Sequence, residues 1–186
     1  GTAVVRVPAG KLEASLHGGG HERGLRSSTE NIPGIVGLGK AAEIARRDFD
    51  SSTATMRKLR DRMIKSVPEL VPRSYVNGHK TLRLPNNASF RFDFIEGEGL
   101  ALQLDMNGIA ASTGSACSTG SLEPSHVLLA LGLTHEQAHG SLRITLGREN
   151  TEEEVGYFLG VIPGVVSKLR EISPFSQDGP AGSCEG

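Results

Sequence analysis

Residues 86–113, "NNASFRFDFIEGEGLALQLDMNGIAAST", decide the fold class. Ala88, Phe90, Phe92 and Phe94 alternate with Ser89, Arg91 and Asp93, the pattern of a half-buried strand. "EGLALQLDMNG" follows as a helix closed by Gly108, and "IAAST" as a short strand. Downstream, "EPSHVLLALG" reads as a helix with Pro124 in its first turn and Gly132 past its end. Thr134 and Gln137 have capping-box spacing, "SLRITLG" alternates as a strand, and a second capping box, Thr151 with Glu154, opens the last helix. Val155, Leu159, Ile162, Val166 and Leu169 form its stripe, and Pro163 should kink it. Upstream, "SYVNGH" is a short strand turning at Asn77-Gly78. Before it, one long helix is expected: Ile35, Leu38, Ala42, Ala45, Phe49, Met56, Leu59, Met63 and Val67 recur at helical spacing, and Pro68 should end it. A Gly-rich loop and a strand over residues 2–7 complete the chain. There is no internal repeat. The expected fold is α+β, a sheet covered by helices on one face.

The 186 residues suffice for one domain with a real core. Twenty basic and 21 acidic residues give a net charge of −1, which argues against a phosphate-backbone or membrane-surface partner. Aromatic residues are 4% with no Trp, too few for a base-stacking platform. No apolar run reaches membrane-spanning length, and "GTAVVRVPAGKLEAS" lacks the basic start and apolar stretch of a signal peptide. Cys117 and Cys184 make no disulfide framework, and Cys184 lies in "SQDGPAGSCEG", which has the composition of a disordered terminus. The expected setting is cytoplasmic and reducing. "TAVVRV" begins one residue from the start with nothing before it to pair with, which suggests a chain cut from something longer.

Cys117 lies in "ASTGSACSTGSLEPSHVL", among Gly, Ser, Thr and Ala rather than the Leu, Ile, Val and Phe that surround a core thiol. It is either an inert surface thiol or a reactive one, and a reactive one needs exposure and positive surroundings. In "HGGGHERGLRSST" the glycines let backbone N–H groups approach an anion, and Arg23, Arg26, Ser27, Ser28 and Thr29 can donate to it; an ordinary Gly-rich surface loop explains the same residues. Arg143 sits inside an alternating strand, where it forms a structural salt bridge or faces a ligand carboxylate. His17/His21 and His135/His139 have four-residue spacing, but glycines separate the first pair and the second lacks an obvious third metal ligand.

Four segments carry a resemblance: "HGGGHERGLRSSTENIPGIVGLGKAAEIA", "LPNNASFRF", "IEGEGLALQLDMNGIAASTGSACSTGSLEPSHVLLALGL" and "AHGSLRITLGRENTEEEV". Together they resemble the C-terminal half of cysteine desulfurases of the NifS/IscS type, class V aminotransferases that use pyridoxal phosphate (PLP). The resemblance spans roughly residues 1–173. It implies the small C-terminal domain of a fold-type I PLP enzyme, a mainly antiparallel sheet with helices on one face, plus a remnant of the large domain. Residues 1–34 would be that remnant with the Gly-rich loop, 35–173 the small domain, and 174–186 a disordered tail. It further implies that Cys117 is the nucleophile that takes sulfur from L-cysteine as a persulfide while alanine leaves. Arg143 would hold the substrate carboxylate, and Thr29 would reach the PLP phosphate of the other subunit of a homodimer. The chain departs from the family pattern at "RSST", where many relatives have Gly before the Thr; a small effect on the loop backbone is expected. The lysine that carries the cofactor, the histidine over its ring and the aspartate on its pyridine nitrogen belong to the large domain, and Lys11, Lys40, Lys58, Lys65, Lys80 and Lys168 match none of the expected contexts. The complete enzyme would supply iron–sulfur cluster assembly or another thiol pathway through a scaffold or other acceptor protein, and the chain alone should lack activity. A second reading makes it a non-catalytic module in which Cys117 accepts persulfide or transiently ligates an iron–sulfur cluster, with no resident metal. A third exchanges cysteine for selenocysteine.

Overall fold

The computed structural model describes residues 12–113 and 124–174. The chain divides into two units, residues 1–50 and 51–186. The expected strand over 2–7 and the tail after residue 174 lie outside the described residues.

In the first unit a short 3-10 helix, His21–Gly24, interrupts the glycine loop. Helix α1, Ile32–Arg47, follows; Asn31 caps it by accepting from Gly34 N–H at 3.1 Å, with Pro33 in its first turn. No residue of α1 is buried.

Helix α2, Phe49–Leu70, begins the second unit's layer of helices. The single long helix expected from the stripe is thus two. The backbone leaves helical geometry at Asp48, a poor helix former, where α1 is capped. The stripe also changes meaning there: Leu59, Met63 and Val67 are buried, whereas Ile35, Leu38 and Phe49 are exposed. Pro68 lies inside α2 rather than at its end, because a proline in the last turn removes one N–H without blocking the few residues after it.

Strands β1 (Ser74–Val76), β2 (Asn87–Phe92), β3 (Ser112–Thr113) and β4 (Ser141–Thr145) form an antiparallel sheet in the order β1-β2-β4-β3. β2 buries Ala88, Phe90 and Phe92 as its alternation predicts. Phe94 does not join them. The chain turns after Phe92 to launch α3 (Gly97–Asp105), and Phe94 takes a φ of 68° in that turn. α3 ends where Gly108 adopts a φ of 73°, as expected of a glycine past a helix end.

Helix α4, His126–Ala130, is shorter than expected; Pro124 precedes its N-cap, Ser125, and does not sit in the first turn. Capping boxes close the N-termini of α5 (His135–His139) at Thr134 and Gln137, and of α6 (Glu152–Ile172) at Thr151 and Glu154. α6 runs unbroken through Pro163.

One core joins the sheet to α2, α3 and α6. Phe90, Phe92 and Leu142 of the sheet meet Leu59 and Met63 of α2, Leu100 and Leu104 of α3, and Ile162 and Val166 of α6. The architecture is the expected α+β sheet with helices over one face. Lys58 and Arg62 of α2 both reach the Glu152 carboxylate, at 2.6 and 3.1 Å, which ties α2 to the start of α6.

Candidate functional site

The sheet face opposite the core is polar. β4 alternates so that Leu142 and Ile144 are buried while Arg143 and Thr145 point outward. The register sets Ser89 of β2 and Ser112 of β3 on either side of Arg143. Arg143 Nη2 lies 3.4 Å from Ser112 Oγ. Arg143 makes no ion pair among the described residues, so none of them supplies the structural salt bridge weighed for it. An exposed guanidinium in a strand with no carboxylate partner retains its fork for an external carboxylate.

A hydrogen-bonded layer fixes the sheet around it. Asn77 Nδ2 donates to Ser89 Oγ and to Ser141 Oγ, both at 3.2 Å, and Ser141 Oγ donates to the Gln137 carbonyl at 3.1 Å. Sequence reasoning missed this layer, since Asn77 reads as a turn residue and its partners are distant in the chain. Gly97 and Gly140 let backbones pack here: a Cβ on Gly97 would collide with the Ser141 carbonyl oxygen, and one on Gly140 would lie 2.5 Å from the Phe92 oxygen.

Cys117 lies outside the described residues. β3, the last described segment before it, ends at Thr113.

Thr29 is in the first unit, exposed, and its hydroxyl has no hydrogen-bond partner among the described residues. The loop before it is held from within. Arg26 Nη1 donates to the carbonyls of Ser28 and Thr29 at 3.0 and 2.7 Å, and Ser27 Oγ donates to the Gly19 carbonyl at 3.0 Å. Ser27 Oγ and one Arg26 nitrogen therefore brace the loop, while the side chains of Arg23, Ser28 and Thr29 make no such bond among the described residues. Ser28 has a φ of 90°, a left-handed value that suits glycine, at the position where many members of the resembled family carry Gly.

Among the described residues no group of three His, Cys, Asp or Glu could hold a metal. PLP needs an anion site and an amine. The exposed Thr29 hydroxyl suits the phosphate end, and Arg143 suits the carboxylate of an amino acid bound to the cofactor. The described lysines are not placed to carry it: Lys40 pairs with Glu43, Lys58 pairs with Glu152, and Lys65, Lys80 and Lys168 are exposed. Each unit, taken by itself, thus offers one group chemically suited to PLP or to its bound amino acid. No described helix is long and apolar enough to cross a membrane.

Over 164 residues the chain is 55% identical to a cysteine desulfurase IscS 1 of Archaeoglobus fulgidus, and the match covers 88% of the chain and 43% of that relative. It is 54% identical over 166 residues to a cysteine desulfurase IscS of Methanosarcina thermophila, covering 89% of the chain and 41% of the relative. The chain therefore spans less than half the length of these relatives. A solved NifS-like protein superposes with a TM-score of 0.73 at 39% identity, over 84% of this chain and 39% of that one. A second, from Rickettsia africae, gives 0.73 at 25% identity, covering 83% and 40%. Residues 11–158 match the family described as aminotransferase class V, and the chain belongs to that family.

Proposed function

We propose that this chain is the sulfur-accepting part of a PLP-dependent cysteine desulfurase. The observation that carries the reading is the register of β3 on β4. Ser112 pairs directly with Arg143, and Cys117 follows Thr113 by four residues, which span at most about 14 Å. A carboxylate-binding guanidinium and a candidate nucleophile on so short a tether suit an amino-acid substrate whose carboxylate is fixed while its side chain is attacked.

In this reading Arg143 binds the carboxylate of L-cysteine and sets the direction of its sulfur. The Cys117 thiolate attacks that sulfur. An S–S bond forms, the substrate C–S bond breaks, and the electron pair of the broken bond stays with carbon, which takes up protons and leaves as alanine. Cys117 keeps the sulfur as a persulfide. PLP, when bound, supplies the electron sink that makes the carbon a tolerable leaving group. Thr29 donates its hydroxyl to the cofactor phosphate, across the interface of a homodimer. The persulfide then passes to an acceptor thiol, such as that of an iron–sulfur scaffold, in the cytoplasm. The residues 1–34, 35–173 and 174–186 divide as large-domain remnant, small domain and tail.

The test uses the complete protein and labelled L-cysteine. Cys117→Ser should abolish persulfide on the chain and alanine release in excess of thiol. Arg143→Ala should raise KM by about 10- to 100-fold, the loss of a bidentate charge-assisted contact. The 186-residue chain alone should release no alanine. Persulfide on Cys117 without alanine release by the complete protein would favour a carrier module, and undiminished activity in Cys117→Ser would refute both readings.

A further inference from the structure

A second cationic feature lies away from Arg143. A groove of about 1060 Å³ runs between α2 and the β1 edge, and its charged lining is Arg57, Arg60, Lys65, Lys80, Arg83 and Arg91, with Asp61 the one carboxylate. Asp61 is taken by Arg60, whose Nη2 is 2.7 Å away. Arg60 is 3% exposed and also donates to the Leu84 carbonyl at 2.8 Å, which pins the loop between β1 and β2 to α2. Arg83 braces the same loop through the carbonyls of Asn77 and His79, at 2.6 and 2.8 Å. Burial, and after it the nearby Arg60 charge, push the Arg83 pKa down, while Asp61 acts the other way.

The other cations have no carboxylate partner among the described residues. Arg57, Lys65 and Lys80 are exposed and form no ion pair among the described residues. The Arg91 guanidinium lies 4.2 Å from the centre of the Tyr75 ring, and its buried Nε has no hydrogen-bond partner among the described residues. The groove also presents backbone. β1 is an edge strand. Asn77 N–H donates to the Ser89 carbonyl at 2.8 Å and Arg73 C=O accepts from Asp93 N–H at 3.1 Å, so the odd-numbered residues of β1 face β2. In an antiparallel ladder the intervening residue Val76 then turns its N–H and C=O away from the sheet.

We propose that this groove docks an extended acidic segment of another polypeptide, which pairs with β1 and sets its carboxylates against Arg57, Lys65, Lys80 and Arg91. Charge complementarity selects the acidic partner, and the open strand edge selects a peptide over a free polyphosphate or a nucleic acid, neither of which has backbone groups for it. The surface is distinct from Arg143, so the inference stands whether or not the desulfurase reading does.

The test is fluorescence anisotropy of the 186-residue chain with a fluorescein-labelled peptide in which Glu and Val alternate over seven residues. A second peptide of equal charge replaces each Val by Pro, which removes the N–H groups a strand needs. Binding that weakens with salt, falls at least about tenfold in Arg57→Glu/Lys65→Glu, and falls at least about tenfold for the Pro peptide is the expected result. Lys80→Glu, on the loop, gives an independent variant should the helix substitutions disturb folding by circular dichroism. The proposal is overturned by no binding up to about 1 mM peptide, by equal binding of the two peptides, or by displacement with tripolyphosphate or a thymidine oligonucleotide at equal charge concentration.

Discussion

At the scale of single residues, two backbone positions bear on the site. Ser28 holds a left-handed φ that costs a non-glycine residue on the order of 1 kcal/mol. Ser28→Gly should relieve this, and the Ser27 N–H, which donates to the Leu16 carbonyl at 3.2 Å, should exchange more slowly with deuterium. Gly97 has the opposite character. Gly97→Ala places a methyl group against the Ser141 carbonyl, inside the layer that orders β4, and should lower stability by about 1–3 kcal/mol in a urea titration. The departure at "RSST" was legible only through the family resemblance, which puts Gly before the Thr and led to the expectation of a small effect on the loop backbone. Gly97 could not be singled out, since its crowding comes from Ser141 and His139, more than forty positions away. Arg143 was visible as a cation in an apolar strand, but its freedom from any described carboxylate depends on which strands flank it.

At the scale of elements, local signals were legible and tertiary ones were not. Both capping boxes stand where Thr and Glu or Gln lie three apart, because a cap is made by near neighbours. The long N-terminal stripe misled because helical periodicity marks a helix face without saying what covers it, and nothing in it reveals the break at Asp48. The α6 cap has a pH signature. Bonds from Asn150 and the Thr151 N–H hold the Glu154 carboxyl below its ordinary value, and Lys58 with Arg62 does the same for Glu152. A carboxyl whose folded pKa is depressed stabilises above its unfolded value of 4.5 and loses that contribution as pH falls through the folded value. The melting temperature should therefore fall on acidification from about pH 5 to about pH 3, and the fall should be shallower in Glu154→Gln. Both carboxyls are solvent-exposed, so salt should shrink the Glu152 part of the effect.

At the scale of the whole molecule, the core of the second unit follows from stripes that the sequence displays: Phe90 and Phe92, Leu100 and Leu104, Ile162 and Val166. What the sequence could not show is that α1 would contribute nothing buried. Ile32 and Val36 of α1 are 58% and 65% exposed, and Phe49 at the start of α2 is 64% exposed, apolar surface on which another protein surface gains by packing. The 186-residue chain should accordingly self-associate, and Ile35→Asp/Val36→Asp should shift its sedimentation profile toward monomer. A profile that is monomeric at high concentration would show that this face needs no cover. One small element bears on the reach of the molecule. β3 has two residues and is hydrogen-bonded to the sheet through β4 alone, so it is the strand that parts from the sheet at least free-energy cost. The strand that sets Ser112 beside Arg143 is thus also the one whose release would take away one of the two serines flanking that guanidinium.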